Sequence, residues 1–176
     1  MRAIVIHAPH DLRIEERQPA IVGPGEVQVR IETGGICGSD LHYFHDGGFG
    51  TVRIRQPMVL GHEIAGVVSA VGEGVAGLAS GDRVAVNPSL PCENCRYCRE
   101  GLQHHCLDMR FYGSAMRTPH VDGGFRQVLV TRARQCHKVP AALSSGEAAM
   151  AEPLAVCLHA VNRAGPLLGK RVLVTG

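Results

Sequence analysis

The sequence predicts a mainly β fold with some α-helix, built around a loop-rich lobe. Short apolar segments with the alternation of half-buried strands follow one another over most of the chain. Glycine accounts for 22 of the 176 residues, a frequency that suits short strands joined by tight turns with positive φ. From Ser144 onward the pattern changes to an alanine-rich, helical run.

The predicted strands are separated by turn signals rich in glycine, proline, serine and aspartate. They cover residues 3–7, 12–16, 26–33, 64–71, 83–86 and 125–131. A loop-rich lobe over 87–124 interrupts them. Ser144 and Glu147 have the spacing of a capping box, so we expect a helix to follow as far as about Ala164, interrupted at Pro153.

The last residues, 169–176, predict a short buried strand that stops at Gly176. A helix, a turn and an apolar strand that meets glycine are how a Rossmann unit begins, and a G-x-G-x-x-G phosphate loop would start at Gly176. We therefore expect a first domain over 1–150, which contains the lobe. Residues 151–176 would be a connecting helix and the first strand of a second domain.

Charge and hydropathy argue against several classes of partner. The net charge is only +2, so nothing indicates binding to nucleic acid or to an acidic membrane surface. No stretch approaches the roughly 18 apolar residues that span a bilayer, and the start MRAIVIHAPHDLRIEE lacks the pattern of a signal peptide. We expect a cytoplasmic protein in which the cysteines stay reduced.

Four cysteines follow the spacing C-x2-C-x2-C-x7-C. Four thiolates can close a tetrahedral shell around zinc, and such a shell is structural because it leaves no position for a substrate. The alternatives are free thiols and an iron–sulfur cluster, although the bacterial ferredoxin run ends differently, in C-x3-C-P. His104 or His105 could replace the fourth cysteine. The candidate ligands are Cys92, Cys95, Cys98 and Cys106.

A second group of metal-binding side chains is dispersed along the sequence: Cys37, the pair His62 and Glu63, and Glu152. Each alone has an ordinary explanation, as a buried thiol, a surface pair or a carboxylate near a helix turn. Together they offer one thiolate, one imidazole and one or two carboxylates. That mixture suits a catalytic zinc that keeps a position for water or substrate.

Two neighbouring side chains suggest supporting roles for this second group. Asp40 could accept the other ring N–H of His62 and so orient the imidazole. Ser39, two residues from Cys37, could carry an alcohol proton outward. Two further cysteines fit neither group, and we expect both to be buried free thiols. They are Cys136 and Cys157.

These motifs together resemble the medium-chain zinc alcohol dehydrogenase family, in its sorbitol or polyol dehydrogenase branch. The resemblance rests on C-G-S-D followed by L-H-Y, on M-V-L-G-H-E, on the four-cysteine lobe and on A-E-P-L-A-V, in order over essentially the whole chain. It implies a GroES-like β-barrel catalytic domain with a zinc-binding lobe, truncated at the first strand of a Rossmann domain. The loop over 109–125 is similar to that of the L-idonate 5-dehydrogenases of this branch.

The resemblance also implies roles for individual residues. The positions that match catalytic zinc ligands are Cys37, His62 and Glu152, with Glu63 as an alternative ligand. The positions that match a proton relay are Ser39 and His42, and those that match the substrate-pocket wall are Tyr43 and Phe111. A guanidinium suits an aldonate carboxylate, although each candidate is also explained as a solvated loop charge; the candidates are Arg53, Arg55, Arg110 and Arg117. Arg110 is our choice because it lies in the loop over 109–125. Gly176 would contact the nicotinamide cofactor.

The implied activity is oxidation of a secondary alcohol of a polyol or aldonic acid, specifically L-idonate to 5-ketogluconate, by hydride transfer to NAD or NADP. The expected metals are one catalytic and one structural zinc, and a homodimer or tetramer is expected at full length. Because the cofactor site would begin at Gly176, we expect the 176-residue chain to fold without turning over substrate. The alternatives are a zinc-stapled binding or structural module, a zinc hydrolase, and a sorbitol or threonine dehydrogenase.

Overall fold

The computed structural model of the chain describes residues 1–175 and consists mainly of antiparallel strands. The strands are β1 (Arg2–Ala8), β2 (Asp11–Glu16), β3 (Glu26–Gly35), β4 (Gly48–Phe49), β5 (Val52–Arg53), β6 (Met58–Val59), β7 (Glu63–Val71), β8 (Arg83–Val86), β9 (Ser89–Leu90), β10 (Arg110–Phe111), β11 (Val128–Arg132) and β12 (Cys136–Lys138). The helices are α1 (Gly38–Asp46), α2 (Arg96–Arg99), α3 (Ser145–Ala149) and α4 (Ala151–Ala164). Two 3₁₀ turns cover 103–105 and 133–135.

Two sheets form the framework. One has five strands in the order β11-β3-β7-β8-β12, and the other has three in the order β2-β1-β6. An isolated bridge between Ala3 and Arg126 links them. The mainly β prediction is confirmed, although the strands of the described chain do not close into a continuous hydrogen-bonded barrel.

The hydrophobic core consists of several clusters of buried side chains, and Phe125 packs against three of them. Alternation in β3 buries Val27 and Val29 fully while their neighbours are more exposed, as expected for a strand with one face inward. Gly34 and Gly61 allow the ring of Phe125 to approach, since a Cβ would lie 2.6 Å and 2.2 Å from ring carbons. Phe125 thus packs beside the ends of β3 and β7.

Helix α1 was not predicted from the sequence. It begins directly after Cys37, where the Asp40 carboxylate accepts a hydrogen bond from the Cys37 N–H at 3.0 Å. It ends at Gly47, which has a φ of 69° in the left-handed region that glycine favours. The helix is short, follows a glycine-rich segment and carries few apolar residues. The sequence therefore shows no helical periodicity there.

The predicted helical run after Ser144 is present but divided differently. Ser144 and Glu147 form the expected capping box at the start of α3. The division falls at Met150, whereas Pro153 lies in the first turn of α4, where its missing N–H would have no partner in the helix. Helix α4 has no buried residue.

Exposure of α4 makes one cysteine prediction wrong. Cys157 lies on this helix and is exposed, because no other element of the described chain covers it. Cys136 is buried, as predicted, and burial raises the pKa of its thiol to about 12.

The predicted strand at the end of the chain is also absent from the described residues. Residues 169–175 are exposed and have no strand conformation. An apolar segment can be buried as a strand only beside a paired neighbour, and no described strand pairs with it. Gly176 lies outside the described residues. No helix among residues 1–175 combines the length and apolar character needed to cross a membrane.

Candidate metal centres

Cys37, His62 and Glu63 converge although they are distant in sequence. Their ligand atoms all lie within 4.8 Å of one another. The convergence comes from the antiparallel pairing of β3 with β7, in which Gly35 is opposite Glu63. The segment that leaves β3 therefore passes beside the residues that enter β7, and this brings the thiol to the imidazole and the carboxylate.

The environment of this trio suits a metal ion. His62 and Glu63 are only 6% and 8% exposed, and Cys37 is partly buried. The Nδ1 atom of His62 is buried and has no hydrogen-bond partner in the described chain, which is unusual for a buried polar atom unless a ligand satisfies it nearby. One thiolate, one imidazole and one carboxylate form a three-ligand set that leaves zinc a further position.

The Asp40 carboxylate forms hydrogen bonds to the backbone beside two members of the trio. It is 3% exposed and accepts hydrogen bonds from the N–H groups of Cys37 and Gly61, at 3.0 Å and 3.2 Å. Its Oδ1 lies 4.0 Å from His62 Nδ1, which is too long for the predicted hydrogen bond. Burial raises the pKa of Asp40, and the two backbone donors and His62 act in the opposite direction.

Glu152 lies near the trio but outside its convergent group. It is partly buried in the first turn of α4. Burial raises the pKa of its carboxyl, and the negative charge of Glu63 acts in the same direction while His62 opposes it. In this structure Glu63 is therefore the carboxylate that joins Cys37 and His62, and Glu152 stands close enough for their charges to interact.

A cavity of about 500 Å³ includes Glu152 and Phe111 in its lining, whereas no member of the trio lines it. The ring of Phe111 is 5.4 Å from that of His62, centroid to centroid, so Phe111 both lines the cavity and packs against a member of the trio. Tyr43 does not line this cavity. It is 1% exposed within the core, and its hydroxyl accepts the Ala115 N–H at 2.9 Å.

The remaining predicted residues occupy different surroundings. Arg110 precedes Phe111 on β10 but is not part of the cavity lining. Ser39 and His42 are three residues apart on α1 and so lie on one side of the helix. Ser39 is partly buried, whereas His42 is exposed, with its Nδ1 3.2 Å from Asp46 Oδ2.

Sequence reasoning did not place three histidines at the cavity, because they come from the lobe, from β12 and from α4. No spacing in the sequence connects these segments. They are His104, His137 and His159.

The four cysteines of the lobe form the second convergent group, as predicted, with all sulfur atoms within 4.8 Å of one another. Helix α2 begins after Cys95 and carries Cys98, so one tight turn supplies two ligands. The Cys92 N–H donates to Cys106 Sγ at 3.2 Å. The neighbouring His104 and His105 are exposed and outside the group. The sulfur set therefore suits a closed tetrahedral zinc shell.

The surroundings of two lobe cysteines shift the pKa values of their thiols in opposite directions. Backbone N–H groups of Leu107 and Cys98 lower the pKa of Cys95 to about 6, because they stabilise the thiolate. Burial raises the pKa of Cys98 to about 12, with the neighbouring sulfurs acting in the same direction. Glu93, in the turn between the first two cysteines, pairs with Arg132 at 3.3 Å and with Arg134, and so connects the lobe to the end of β11.

Comparisons with known proteins agree with this architecture. The family described as alcohol dehydrogenase GroES-like domain matches residues 23–141. L-idonate 5-dehydrogenase (NAD(P)(+)) of Escherichia coli (strain K12) is 50% identical over 148 residues, which are 84% of this chain and 43% of that protein. Sorbitol dehydrogenase of Gallus gallus is 42% identical over 174 residues, 99% of this chain and 48% of that protein.

A solved structure is similar over the same extent. The crystal structure of L-idonate 5-dehydrogenase from Escherichia coli K-12 has a TM-score of 0.93 and 44% sequence identity, covering 99% of this chain and 50% of that chain. The chain thus spans about half the length of the relatives it matches. The match over 23–141 and the likeness in structure show that the chain belongs to the alcohol dehydrogenase GroES-like domain family.

Proposed function

We propose that this chain is the zinc-bearing catalytic domain of a dehydrogenase that oxidises a secondary alcohol of a polyol or aldonic acid, with L-idonate as substrate and NAD or NADP as hydride acceptor. The observation that carries the proposal is the convergence of Cys37, His62 and Glu63 within 4.8 Å. The His62 ring packs against Phe111, which lines a cavity of about 500 Å³. The relative at 50% identity, an L-idonate 5-dehydrogenase, supports the substrate and the cofactor class.

Two zinc ions are part of this proposal. One would be held by the trio, and would supply Lewis-acid chemistry to the hydroxyl of a secondary alcohol. The other would be held by the four lobe cysteines and would stabilise a segment that has little core of its own. Support for the first site comes from its mixed donors and from the unpartnered Nδ1 of His62.

The residues of the chain itself would position the substrate and carry its proton. Phe111 and Glu152 line the cavity, so the ring would exclude water on one side and the carboxylate could accept a hydroxyl hydrogen bond. Ser39 and His42 lie on one side of α1, the first partly buried and the second exposed. This order from interior to solvent supports a proton relay from the substrate hydroxyl through Ser39 to His42.

The nicotinamide cofactor, when bound, supplies the acceptor for the hydride. The proposed cofactor contact at Gly176 lies outside the described residues, so the cofactor part of the proposal rests on the relatives. Family resemblance also supports a homodimer or tetramer for the protein at the full length of those relatives.

The experiment that tests the proposal follows nicotinamide reduction by the protein at the full length of its relatives. L-idonate, sorbitol and L-threonine are compared as substrates, each with NAD and NADP. We expect the highest kcat/KM with L-idonate. A higher value with sorbitol or threonine would contradict the substrate but keep the chemistry, and no reduction with any of them would contradict the dehydrogenase proposal.

The relay is tested with Ser39→Ala and His42→Ala in the same assay. Both should retain zinc and lower kcat, by about tenfold or more for Ser39→Ala, because positioned proton transfer contributes about 10²–10⁴-fold to rates. Ser80→Ala is the control, since Ser80 is exposed in the turn before β8 and lies outside the proposed relay. An unchanged kcat in Ser39→Ala would contradict the relay.

A further inference from the structure

A groove whose lining contains no member of the metal-ligand trio combines a half-buried arginine with apolar side chains, and one of these, Ile36, directly precedes Cys37. Two adjoining cavities of about 280 Å³ and 300 Å³ share four lining residues, which are Ile4, Ile31, Phe125 and Arg126. Each cavity is close to the lower end of the roughly 300–1,000 Å³ range of small-molecule sites. The groove lies on the outer side of β1, β3 and the segment that enters β11.

Arg126 is the unusual member of this groove. Its Nε atom is shielded from solvent and has no hydrogen-bond partner in the described chain. No carboxylate among residues 1–175 lies within ion-pair distance of its guanidinium. The carboxylate with the strongest favourable influence belongs to Asp122, which already accepts the Val59 N–H at 2.8 Å and faces Arg17 at 3.9 Å.

The electrostatic consequence is a half-buried cation whose stabilising carboxylate, that of Asp122, is engaged with other partners. Burial lowers the pKa of Arg126 because it removes water from the charged form. A shielded charge is normally paired, since the loss of hydration is otherwise uncompensated. An anion that enters the groove would therefore gain a charge-assisted hydrogen bond and would give the unpaired Nε–H of Arg126 an acceptor.

The rest of the groove specifies what kind of anion fits. The lining of the first cavity contains Arg2 as well as Arg126 and no acidic residue. Ile14, at its edge, is 72% exposed, and Ile36, at the edge of the second cavity, is 70% exposed. Exposed branched side chains around a cationic centre match a ligand with one negative end and an aliphatic body.

Glu32 does not supply the missing charge. It lines the second cavity, but its carboxylate pairs with Arg30 at 2.9 Å and accepts a hydrogen bond from Ser145. The cationic and apolar surfaces of the first cavity therefore remain available together.

We propose that this groove binds a small aliphatic carboxylate, whose carboxylate group contacts Arg126 and whose hydrocarbon chain lies along Ile4, Ile14 and Ile31. The site is separate from the metal centres and does not depend on the dehydrogenase activity. Charge complementarity selects the carboxylate, and the exposed isoleucines select the aliphatic chain.

Octanoate is the probe, titrated into the ¹⁵N-labelled 176-residue chain and followed by amide chemical shifts. We expect saturable shifts around Ile4, Ile31 and Arg126. Octylammonium has the same chain with the opposite charge, and should bind at least tenfold more weakly. Equal binding of the two compounds, shifts confined to other surfaces, or no saturable binding of octanoate would each overturn the proposal.

Matched variants assign the binding to the guanidinium. Arg126→Met should weaken octanoate binding about tenfold or more, as expected for loss of a hydrogen bond to a charged group. Arg99→Met makes the same change at an exposed arginine of α2 and should leave the affinity unchanged. An unaltered affinity in Arg126→Met would overturn the proposal, and the comparison of octanoate with octylammonium decides it if this variant does not fold.

A carboxylate can also bind zinc, so a further variant distinguishes octanoate binding in the groove from binding at the metal. Cys37→Ala removes a ligand of the proposed catalytic metal and lies outside the lining of both cavities. Octanoate binding should persist in Cys37→Ala. Its disappearance would show that octanoate binds the metal and would overturn the groove as its site.

Discussion

The carboxylate of Asp40 accepts a hydrogen bond from the backbone N–H of Gly61 at 3.2 Å. This bond joins helix α1, which follows Cys37, to the residue that precedes His62. Asp40 also accepts the N–H of Cys37 itself at 3.0 Å. One buried side chain thus fixes the backbone beside two candidate ligands that are 25 residues apart in sequence.

Asp40→Asn should therefore weaken zinc binding at the trio while the lobe keeps its ion. The amide has only one acceptor oxygen, so one backbone N–H loses its partner. Loss of a residue that orients metal ligands costs about 10–100-fold in affinity, which a competition titration with a chelator measures. Asp46→Asn, at an exposed position on the same helix, should leave the affinity unchanged, and equal affinities in the two variants would contradict this role.

The two glutamates near the trio should differ in their effect on zinc. Glu63→Gln removes a member of the convergent group, so we expect a loss of affinity of at least about tenfold at this site. Glu152→Gln changes a carboxylate outside that group and should cost less. Zinc affinities of both variants, measured by the same titration, test the order. The reverse order would identify Glu152 as the ligand.

Gly61→Ala should destabilise the fold. Gly61 has a φ of +93°, and an added Cβ would lie 2.2 Å from the ring of Phe125. Backbone strain together with overpacking predicts a loss of about 2–4 kcal/mol in the free energy of unfolding. Urea denaturation measures this loss. Gly74→Ala is the control, because Gly74 has a φ of +76° with open space around it, and it should cost about 1 kcal/mol from strain alone.

Tyr112→Phe should cost about 1 kcal/mol, because the Tyr112 hydroxyl donates to Thr131 Oγ1 at 2.8 Å inside the core. Tyr97→Phe is the control, since Tyr97 has an exposed hydroxyl contact, and it should change stability little. A Tyr112→Phe variant as stable as this control would contradict the assignment.

Burial raises the pKa of Tyr112, and this gives the bond a pH dependence. The contribution is complete below the unfolded tyrosine pKa of about 10 and is lost as the pH rises through the higher folded value. Urea unfolding at a series of pH values should therefore show a steeper loss of stability above pH ~10 in the native chain than in Tyr112→Phe.

Features set by residues close together in the sequence were predictable, whereas features that depend on residues far apart were not. The four-cysteine centre was predictable in full, because Cys92 to Cys106 make one local motif whose spacing alone brings the sulfurs together. The strands were predictable from alternation, as in β3. Helix α1 was not, since it begins after Cys37, which is not one of the usual capping residues. Its buried aromatic side chain, Tyr43, packs against distant parts of the chain.

The trio of Cys37, His62 and Glu63 was predictable only in part. Its residue types were identifiable, but their convergence depends on the register in which Gly35 faces Glu63, and no local pattern states that register. The distance of 4.0 Å between Asp40 Oδ1 and His62 Nδ1, which is too long for the predicted hydrogen bond, is likewise set by the fold and not by a local pattern. The strand expected over 169–176 is not formed in the described residues 169–175 for a related reason, since pairing, and not hydropathy alone, makes a strand.

The number of zinc ions bound per chain tests the central claim most directly. The 176-residue chain, purified with zinc and analysed by mass spectrometry of its metal content, should hold two. Cys37→Ala should hold one, which remains in the four-cysteine lobe, and Cys98→Ala should lose the other. A chain that holds a single zinc, with the same content in Cys37→Ala, would contradict a metal centre at Cys37, His62 and Glu63.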